Sequence, residues 1–354
     1  MKNKRILFLS SIFPPETGGP ASYCENILKY LSKKGIELSL ITSYSENKKN
    51  NVIYNFPHKQ FKGTTLTRAL LFMINSTKIL FYNDIVFSMT SPQDTFLSLI
   101  VARLIGKEAF LRIGGRYHLE LKNKLKSNFV LIIMKVLSKA GVHFISVSPS
   151  TTDYLRNIGI KPFTEIQNPF FPVDKKNTID FYENKNIRLL TVSRLTTVKN
   201  ISQILKLIKN TERTELIIAG SGPLYKRLKD EAKYLLIEDR VVFKGHLEGK
   251  ELDDLYNNSH FYITFSDFEG SPNSIIKALG HNLPVIAPYK LINTQVINTK
   301  NAFLFENTKT VSEYLNNLDI TSYKKIKNNT HLKEVNNLFN HLKRLSRTLQ
   351  RPQA

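Results

Sequence analysis

Short apolar runs alternate with longer segments of helical periodicity along most of this chain, and this alternation constrains the fold more than any other feature. Residues 5–10 (RILFLS) form a run typical of a strand, and residues 21–35 then repeat apolar side chains at the spacing of a helix. Further strand-like runs follow in the first half, at residues 36–42, 84–89, 109–114 and 143–148. Strands and helices in alternation predict a parallel sheet with helices on both faces.

The alternation is interrupted once, at residues 167–186 (QNPFFPVDKKNTIDFYENKN). Two prolines, several asparagines and a cluster of charges are typical of a linker. The alternation then resumes with the strand-like runs IRLLTVS, ELIIAG, RVVFKG, FYITFS, LPVIAP and AFLF. We therefore predict two doubly wound α/β domains, residues 1–172 and 186–318, joined by a linker at 173–185. A final amphipathic helix is expected at about residues 331–349.

Positive charge is concentrated in two parts of the chain. The net charge is +22; residues 1–173 hold 23 basic and 10 acidic residues, residues 174–319 hold 20 and 18, and the remaining tail holds 8 and 1. Two interpretations stay open: a solvated surface in a composition rich in lysine and asparagine, or attraction to an anionic membrane surface. Nucleic acid is not expected as a partner, because no RRM, KH, helix-turn-helix or zinc-finger pattern is present.

Cysteine content and hydropathy predict where the protein works. The single cysteine, Cys24, excludes an internal disulfide framework and fits a reducing cytoplasm. No apolar run approaches the roughly 20 residues that span a membrane, since the best, residues 129–137, is short and contains Lys135. The basic and then apolar start runs into Pro14 and Pro15 without an A-x-A site, so secretion is not expected.

Ligands of open parallel sheets bind beside the carboxyl ends of the strands, so the loops that follow the predicted strands are the candidate binding loops. After the first strand, Gly18 and Gly19 open a helix, where glycine lets backbone amides approach a ligand and the helix N-terminus favours anions. The GxxxxGK[ST] pattern of nucleotide P-loops is absent. A flexible turn is the alternative interpretation of these glycines.

In the second half, two loops offer groups that suit a diphosphate. Arg194 and Lys199 lie on the loop after the first strand of this half, where a guanidinium fork and an ammonium suit phosphate oxygens. Solvated surface charges are the alternative interpretation. Gly220 and Gly222 lie on the next loop and partly match the dinucleotide pattern GxGxxG, but Tyr225 replaces its third glycine, so a dehydrogenase is not expected.

The loop after FYITFS combines a carboxylate with a polar helix start. Glu269 is followed by small and polar residues that open a short helix, namely Gly270, Ser271, Pro272, Asn273 and Ser274. Donors at such a helix start suit an anion or a hydroxyl, whereas the Glu269 carboxylate suits the hydroxyls of a sugar. Beside a phosphate-binding loop, these groups predict a site for a sugar phosphate or a nucleotide sugar. An acidic solvated turn is the alternative interpretation.

The chain resembles the glycosyltransferase family 4 (group 1) enzymes, which have the GT-B fold, in three segments that occur in order: SRLTTVKN, LIIAGSGPLYKRL and DRVVFKGHLEGKELDDLYNNSHFYITFSDFEGSPNSIIKALGHNLPVIAP. The first half resembles the family more loosely. The resemblance implies two Rossmann-like domains that face each other across a cleft. The first would bind the acceptor and the second a nucleotide-sugar donor such as a UDP- or GDP-sugar, with the final helix packed back on the first.

The resemblance also implies roles for individual residues. Arg194 and Lys199 match the pair that neutralises the donor diphosphate, and Gly18 and Gly19 match the glycine loop that faces this phosphate. Glu269 matches the first glutamate of the family's E-x7-E signature, which contacts the transferred sugar. The residues from Gly270 to Ser274 match the amide-rich loop beside it.

Two positions depart from the family pattern. Lys277 stands where the second signature glutamate accepts hydrogen bonds from the donor ribose, and a lysine accepts none. Either the ribose is held otherwise, the donor differs, or catalysis is impaired. In the first half, residues 114–118 (GGRYH) replace the usual segment that bears His or Asp. Arg116 and His118 are the candidates there for acceptor binding or for stabilising leaving-group charge.

The resemblance implies transfer with retention at the anomeric carbon, and the expected activity is transfer of a hexose from a nucleotide sugar to a glycan or lipid-linked acceptor in the biosynthesis of a surface polysaccharide, such as lipopolysaccharide or capsule. Fixed cations and helix amides would stabilise the leaving diphosphate, so neither a metal nor another cofactor is expected. We expect a cytoplasmic protein that associates peripherally with the inner face of the cell membrane. Two alternatives stay open: a catalytically impaired homologue that acts as a partner or scaffold of another transferase, and a sugar-nucleotide epimerase.

Overall fold

The computed structural model of the protein describes residues 4–14, 16, 19–33, 35–44, 54–64, 67–115, 123–166, 177, 179, 181, 186–267, 269, 273–292 and 296–330. The chain divides into two compact units between Asn168 and Pro169. Each unit is built on one sheet, of seven strands in the first and six in the second, and all neighbouring strands are parallel.

The first unit contains seven strands, in chain order β1 (Ile6–Ser10), β2 (Leu38–Tyr44), β3 (His58–Lys62), β4 (Ile85–Ser88), β5 (Glu108–Ile113), β6 (His143–Ser146) and β7 (Phe163–Glu165). Their order across the sheet is β3-β2-β1-β4-β5-β6-β7. The described residues of this unit form five helices, α1 (Gly19–Lys33), α2 (Arg68–Leu80), α3 (Pro92–Leu104), α4 (Lys124–Lys139) and α5 (Pro149–Asn157).

The second unit contains six strands, β8 (Ile187–Val192), β9 (Thr214–Ala219), β10 (Val241–Gly245), β11 (Phe261–Ile263), β12 (Val285–Pro288) and β13 (Ala302–Phe305), in the order β10-β9-β8-β11-β12-β13. Its described helices are α6 (Ile201–Lys209), α7 (Tyr225–Tyr234), α8 (Gly249–Asn257), α9 (Asn273–Gly280), α10 (Thr308–Asn316) and α11 (Ile320–Lys327). A short 3₁₀ turn, Thr197–Lys199, precedes α6.

Both sheets reverse their strand order beside their first strand. Strand β1 pairs with β2 on one side and with β4 on the other, and β8 pairs in the same way with β9 and β11. This is the doubly wound order, in which ligands bind outside the carboxyl ends of the strands at the point of reversal. The reversal in the second unit therefore places the loops after β8 and β11 side by side.

Apolar residues fill both faces of the second sheet, which explains why its strands read as continuous apolar runs. Along β8, Ile187 and Leu189 pack into one core cluster, together with residues of α6, α7 and α10. Leu190 points to the opposite face and packs with Tyr262 and residues of α9. The predicted strand runs of both halves are all confirmed as strands.

Two strands of the first sheet have no counterpart among the predicted runs. Strand β3 is HKQFK, with every residue at least partly exposed, and it forms the sheet edge beside β2. Strand β7 has three residues, all half-buried, at the opposite edge. An edge strand pairs on one side only and does not need a continuous apolar run, so hydropathy patterns miss it. The helix predicted at residues 331–349 lies outside the described residues.

Candidate functional site

The site is built where the order of the second sheet reverses. Strands β8 and β11 are parallel neighbours, with Leu189 opposite Phe261 and Leu190 opposite Tyr262. The loop after β8 carries Arg194 and Lys199, and the loop after β11 carries Glu269. These two loops lie at the same edge of the sheet although they are far apart in sequence.

Backbone and side-chain hydrogen bonds tie the two loops together. The backbone amide of Asp267 donates to the carbonyl of Val198 at 2.9 Å. Asn200, with a left-handed backbone (φ 50°), donates from its side-chain amide to the carbonyl of Phe265 at 3.1 Å. Asparagine is among the few residues other than glycine that adopt this conformation readily. The relative position of the two loops is therefore set by the protein itself.

Lys199 and Glu269 form an ion pair across these loops. The Lys199 Nζ lies 2.6 Å from Glu269 Oε1, and the two side chains are 21% and 12% exposed. The hydroxyl of Ser266 also donates to Glu269 Oε1, at 2.7 Å. Charge-assisted hydrogen bonds of this kind fix the orientation of a carboxylate. The carboxylate is thus held at the carboxyl edge of the sheet and does not point outward into solvent.

Arg194 differs from Lys199 in that it has no ion-pair partner among the described residues. Its side chain is exposed. Beside it, the buried hydroxyl of Ser193 has no hydrogen-bond partner within the described ranges. The edge of the sheet therefore offers one exposed guanidinium and one ammonium shared with a carboxylate. This set suits an anion that also carries hydroxyl groups.

Gly220 and Gly222 support this edge from the neighbouring strand. Gly220 has φ 147°, and a Cβ there would overlap the carbonyl oxygen of Ser193. A Cβ on Gly222 would lie 2.6 Å from the carbonyl oxygen of Leu195. The amide of Leu195 in turn donates to the carbonyl of Ser221 at 2.9 Å. Packing alone therefore explains why glycine is needed at both positions, because only glycine lets the loop after β9 pack directly against the loop that bears Arg194.

Helix α9 begins beside this edge and is held from beneath by two tyrosines. The hydroxyl of Tyr262 donates to Ser274 Oγ at 2.8 Å, and that of Tyr256 donates to the Ser274 carbonyl at 3.3 Å. Burial, followed by the nearby Glu269 carboxylate, raises the pKa of Tyr262. Tyr262 therefore stays a protonated donor and positions the first turn of α9.

Lys277 lies one turn further along α9 and is engaged with a neighbouring helix. Its Nζ lies 2.6 Å from Asp253 Oδ1 on α8 and 5.5 Å from the centre of the Tyr256 ring. The buried His281 brings its Nε2 to 3.3 Å from the same Asp253 oxygen. The carboxylate of Asp253 thus balances the charge that Lys277 introduces at this position.

We expect the Lys277→Glu substitution to lower the thermal unfolding temperature, because it places a second carboxylate beside Asp253. Both side chains are about a third exposed, at 32% and 39%, so solvent limits the loss to about 1 kcal/mol. The exchanged pair, Asp253→Lys with Lys277→Glu, should recover most of it. Thermal unfolding of the four proteins gives the coupling energy directly, and a coupling energy of zero would contradict the ion pair.

Of the other predicted site residues, two lie within the described ranges. Gly19 begins α1, as the sequence predicts for the start of the first helix. Asn273 begins α9. The remaining predicted positions lie outside the described residues, namely Gly18, Arg116, His118, Gly270, Ser271 and Pro272.

The structure also reveals polar residues that the sequence patterns did not single out at the reversal point of the first sheet. The amide of Ser11, after β1, donates to the hydroxyl of Thr90, after β4, at 3.1 Å. Asp94, in the first turn of α3, is buried and lies 3.6 Å from the guanidinium of Arg68. Burial raises the pKa of Asp94, and the nearby polar side chain of Ser11 and the charge of Arg68 oppose this effect.

The described ranges contain no candidate metal site and no candidate membrane-spanning helix. No group of three or more His, Cys, Asp or Glu side chains is arranged there to hold a metal ion. None of the helices that the structure describes is long and apolar enough to cross a membrane.

Comparison with known proteins finds glycosyltransferases similar to this chain in sequence. Residues 174–344 match the family model described as glycosyl transferases group 1. One curated relative is the alpha-monoglucosyldiacylglycerol synthase of Streptococcus pneumoniae, 33% identical over 103 residues, which are 28% of this chain and 23% of that protein. The chain spans less than half the length of the curated relatives it matches first.

Solved structures resemble the whole chain at low sequence identity. The sucrose-phosphate synthase of Thermosynechococcus elongatus superposes with a TM-score of 0.80 at 16% identity, covering 98% of this chain and 99% of the other. The Anabaena protein HepE, solved in complex with UDP and glucose, superposes with a TM-score of 0.76 at 16% identity and the same coverage. These likenesses, with the two parallel sheets, establish the GT-B fold.

Proposed function

We propose that the chain transfers a hexose from a nucleotide-sugar donor to a glycan or lipid-linked acceptor, because residues 174–344 match the family model of the group 1 glycosyl transferases. The proposed setting is the biosynthesis of a surface polysaccharide, and the proposed stereochemical course is retention at the anomeric carbon. The observation that carries this proposal is the Lys199–Glu269 ion pair, held beside the exposed Arg194 where the strand order of the second sheet reverses.

Arg194 and Lys199 would bind the donor diphosphate. A guanidinium donates a planar fork of hydrogen bonds to phosphate oxygens, and an ammonium has three donors, so Lys199 can keep its contact with Glu269 while it contacts a phosphate. Negative charge grows on the diphosphate as the glycosidic bond of the donor breaks. Cations that are already in place stabilise this charge without reorganisation, which lowers the barrier.

Glu269 would bind the hexose. An ionised carboxylate accepts hydrogen bonds only, so it suits the hydroxyls of a sugar and disfavours a phosphate. Lys199 and Ser266 both contact Oε1, so among the described residues no contact engages the second carboxylate oxygen, Oε2. This arrangement separates the two parts of the donor, with the diphosphate near Arg194 and the sugar near Glu269.

The comparisons support the choice of donor and acceptor classes. A structural neighbour solved with UDP and glucose supports a UDP-sugar as the donor. A curated relative named as a glucosyldiacylglycerol synthase supports a lipid acceptor. The net positive charge of the first half supports a peripheral position on an anionic membrane surface, at the inner face of the cell membrane. The alternative of an impaired homologue has no support in the comparisons.

A panel of nucleotide sugars tests the proposal. We expect one UDP- or GDP-sugar to raise the thermal unfolding temperature of the protein, because a ligand that binds only the folded state stabilises it. The same compound should then release its nucleoside diphosphate when an acceptor extract is added. Arg194→Ala should weaken both effects, whereas Lys300→Ala, at an exposed position just before β13, should change neither. A protein that binds no member of the panel would contradict the proposal.

A further inference from the structure

An exposed apolar face runs along helix α4 in the first unit. Its inner face is buried through Val130, Ile133, Met134 and Leu137. Its outer face presents four large apolar side chains at intervals of four, three and four residues, namely Leu125, Phe129, Ile132 and Val136, which are between 48% and 81% exposed. Helical spacing places these four on one line along the helix. Soluble proteins rarely expose a continuous apolar surface of this kind without a partner.

Lysines flank this line, and α4 contains no acidic residue. Lys124 and Lys126 lie at its first turn, and Lys135 and Lys139 lie at its end, all four exposed. We call the four apolar side chains and these four lysines the α4 surface. A helix that has one buried face and one face of apolar side chains between lysines matches the pattern of helices that lie in a membrane interface.

Further exposed apolar side chains lie on α3, which packs beside α4, and on α2, which packs beside α3. On and after α2 these are Leu70, Ile74, Phe81 and Tyr82, and Leu104 ends α3. Hydrogen bonds connect the ends of the three helices, because Arg103 donates to the carbonyl of Ala140 at 3.1 Å and Lys107 donates to the carbonyl of Phe81 at 3.4 Å. Exposed apolar side chains therefore also occur at the linked ends of α2 and α3, near the end of α4.

Charge decides between the possible occupants of this surface. A second copy of the chain would oppose lysines with lysines, and the C-terminal tail from Ile320 is itself basic, with 8 basic residues and 1 acidic residue. Anionic lipid headgroups complement the lysines, and the acyl region accepts the apolar side chains. We propose that the α4 surface docks the protein on an anionic lipid bilayer, with the axis of α4 parallel to the bilayer plane.

This position also has a consequence for acceptor binding, which rests on the proposed function. Helix α4 is the next helix after β5, and the loop between them begins at the carboxyl edge of the first sheet. His118, the candidate for acceptor contact, lies six residues before Lys124 in the sequence. A bilayer along α4 would therefore meet the first unit beside the loop where a lipid-linked acceptor is expected.

Vesicle flotation tests the docking without donor or acceptor, so its result is independent of glycosyl transfer. We expect the wild type to float with vesicles of phosphatidylcholine and phosphatidylglycerol, and to bind pure phosphatidylcholine at least about tenfold less well. Phe129→Ser with Ile132→Ser should lower binding to the mixed vesicles at least about tenfold. The matched control, Tyr234→Ser with Leu236→Ser, removes an exposed aromatic and an exposed aliphatic side chain from the second unit and should bind as the wild type does.

A second pair of variants tests the lysines. Lys135→Glu with Lys139→Glu should weaken binding to the mixed vesicles strongly, whereas Lys300→Glu with Lys309→Glu makes the same charge change in the second unit and should weaken it less. Light scattering of the wild type and of the Phe129→Ser, Ile132→Ser variant detects self-association. If the wild type is a dimer, and the variant is a monomer that still binds vesicles, the proposal is overturned in favour of a contact between copies. A lowered unfolding temperature with unchanged vesicle binding would overturn it in favour of internal packing.

Discussion

Replacing Lys199 with alanine is expected to lower kcat for glycosyl transfer about 10²–10³-fold, the usual effect of removing one preorganised group that stabilises transition-state charge. The ammonium lies 2.6 Å from Glu269, so the variant would lose both the proposed diphosphate contact and the group that orients the carboxylate proposed to bind the sugar. The measurement is release of the nucleoside diphosphate at saturating donor, with Lys300→Ala as a remote control.

A double variant separates the two roles of Lys199. If the lysine served only to neutralise Glu269, then Lys199→Ala with Glu269→Gln would restore activity, since an amide needs no counter-ion. We expect no such recovery, because the diphosphate would still lack its cation. Recovery to wild-type turnover would show that Lys199 acts on the carboxylate alone, and the proposed diphosphate contact would then be wrong.

The Gly220→Ala substitution is expected to lower the free energy of unfolding of the second unit by at least about 3 kcal/mol, at the high end for a single substitution. The new Cβ would overlap the carbonyl oxygen of Ser193 and lie 3.0 Å from its carbonyl carbon. Both atoms belong to the backbone, so neither can rotate away. Urea unfolding followed by circular dichroism measures the loss.

Gly249→Ala is the matched control for this prediction. Gly249 has φ +56°, a left-handed conformation like that of other turn glycines, but a Cβ there would meet no atom within 4 Å. Its cost is the backbone preference alone, about 1–2 kcal/mol. Equal losses in the two variants would show that the overlap with Ser193 is relieved by a small movement, and that the loop bearing Arg194 is less tightly held than the distances indicate.

Some features of the site were predictable because they depend on short stretches of sequence. The apolar runs predicted the strands, since a strand buried on both faces needs apolar side chains throughout. The loops after those runs predicted Arg194, Lys199 and Glu269 as candidates, because ligands bind at the carboxyl ends of parallel strands. The polar edge strand β3 was missed because it needs no such run.

Partners far apart in sequence were not predictable. Lys199 and Glu269 are separated by 70 positions, and they meet because β8 and β11 are parallel neighbours. The partner of Lys277, Asp253, comes from α8, and no pattern in the chain indicates which side chain of that helix faces α9. That the Ser193 hydroxyl has no hydrogen-bond partner among the described residues likewise becomes visible only once the neighbouring loops are in place.

The sequence by itself determined the two α/β halves, the loops that bear the candidate groups and the resemblance to the group 1 glycosyl transferases, because periodicity and loop motifs are local properties. Only the tertiary structure decided which charges neutralise each other and which apolar side chains remain exposed. Residues 129–137 illustrate the reason: they read as one apolar run, yet Ile133 and Leu137 are buried whereas Phe129 and Ile132 face outward. That division depends on where the sheet and the neighbouring helices lie, and a linear pattern does not contain this information.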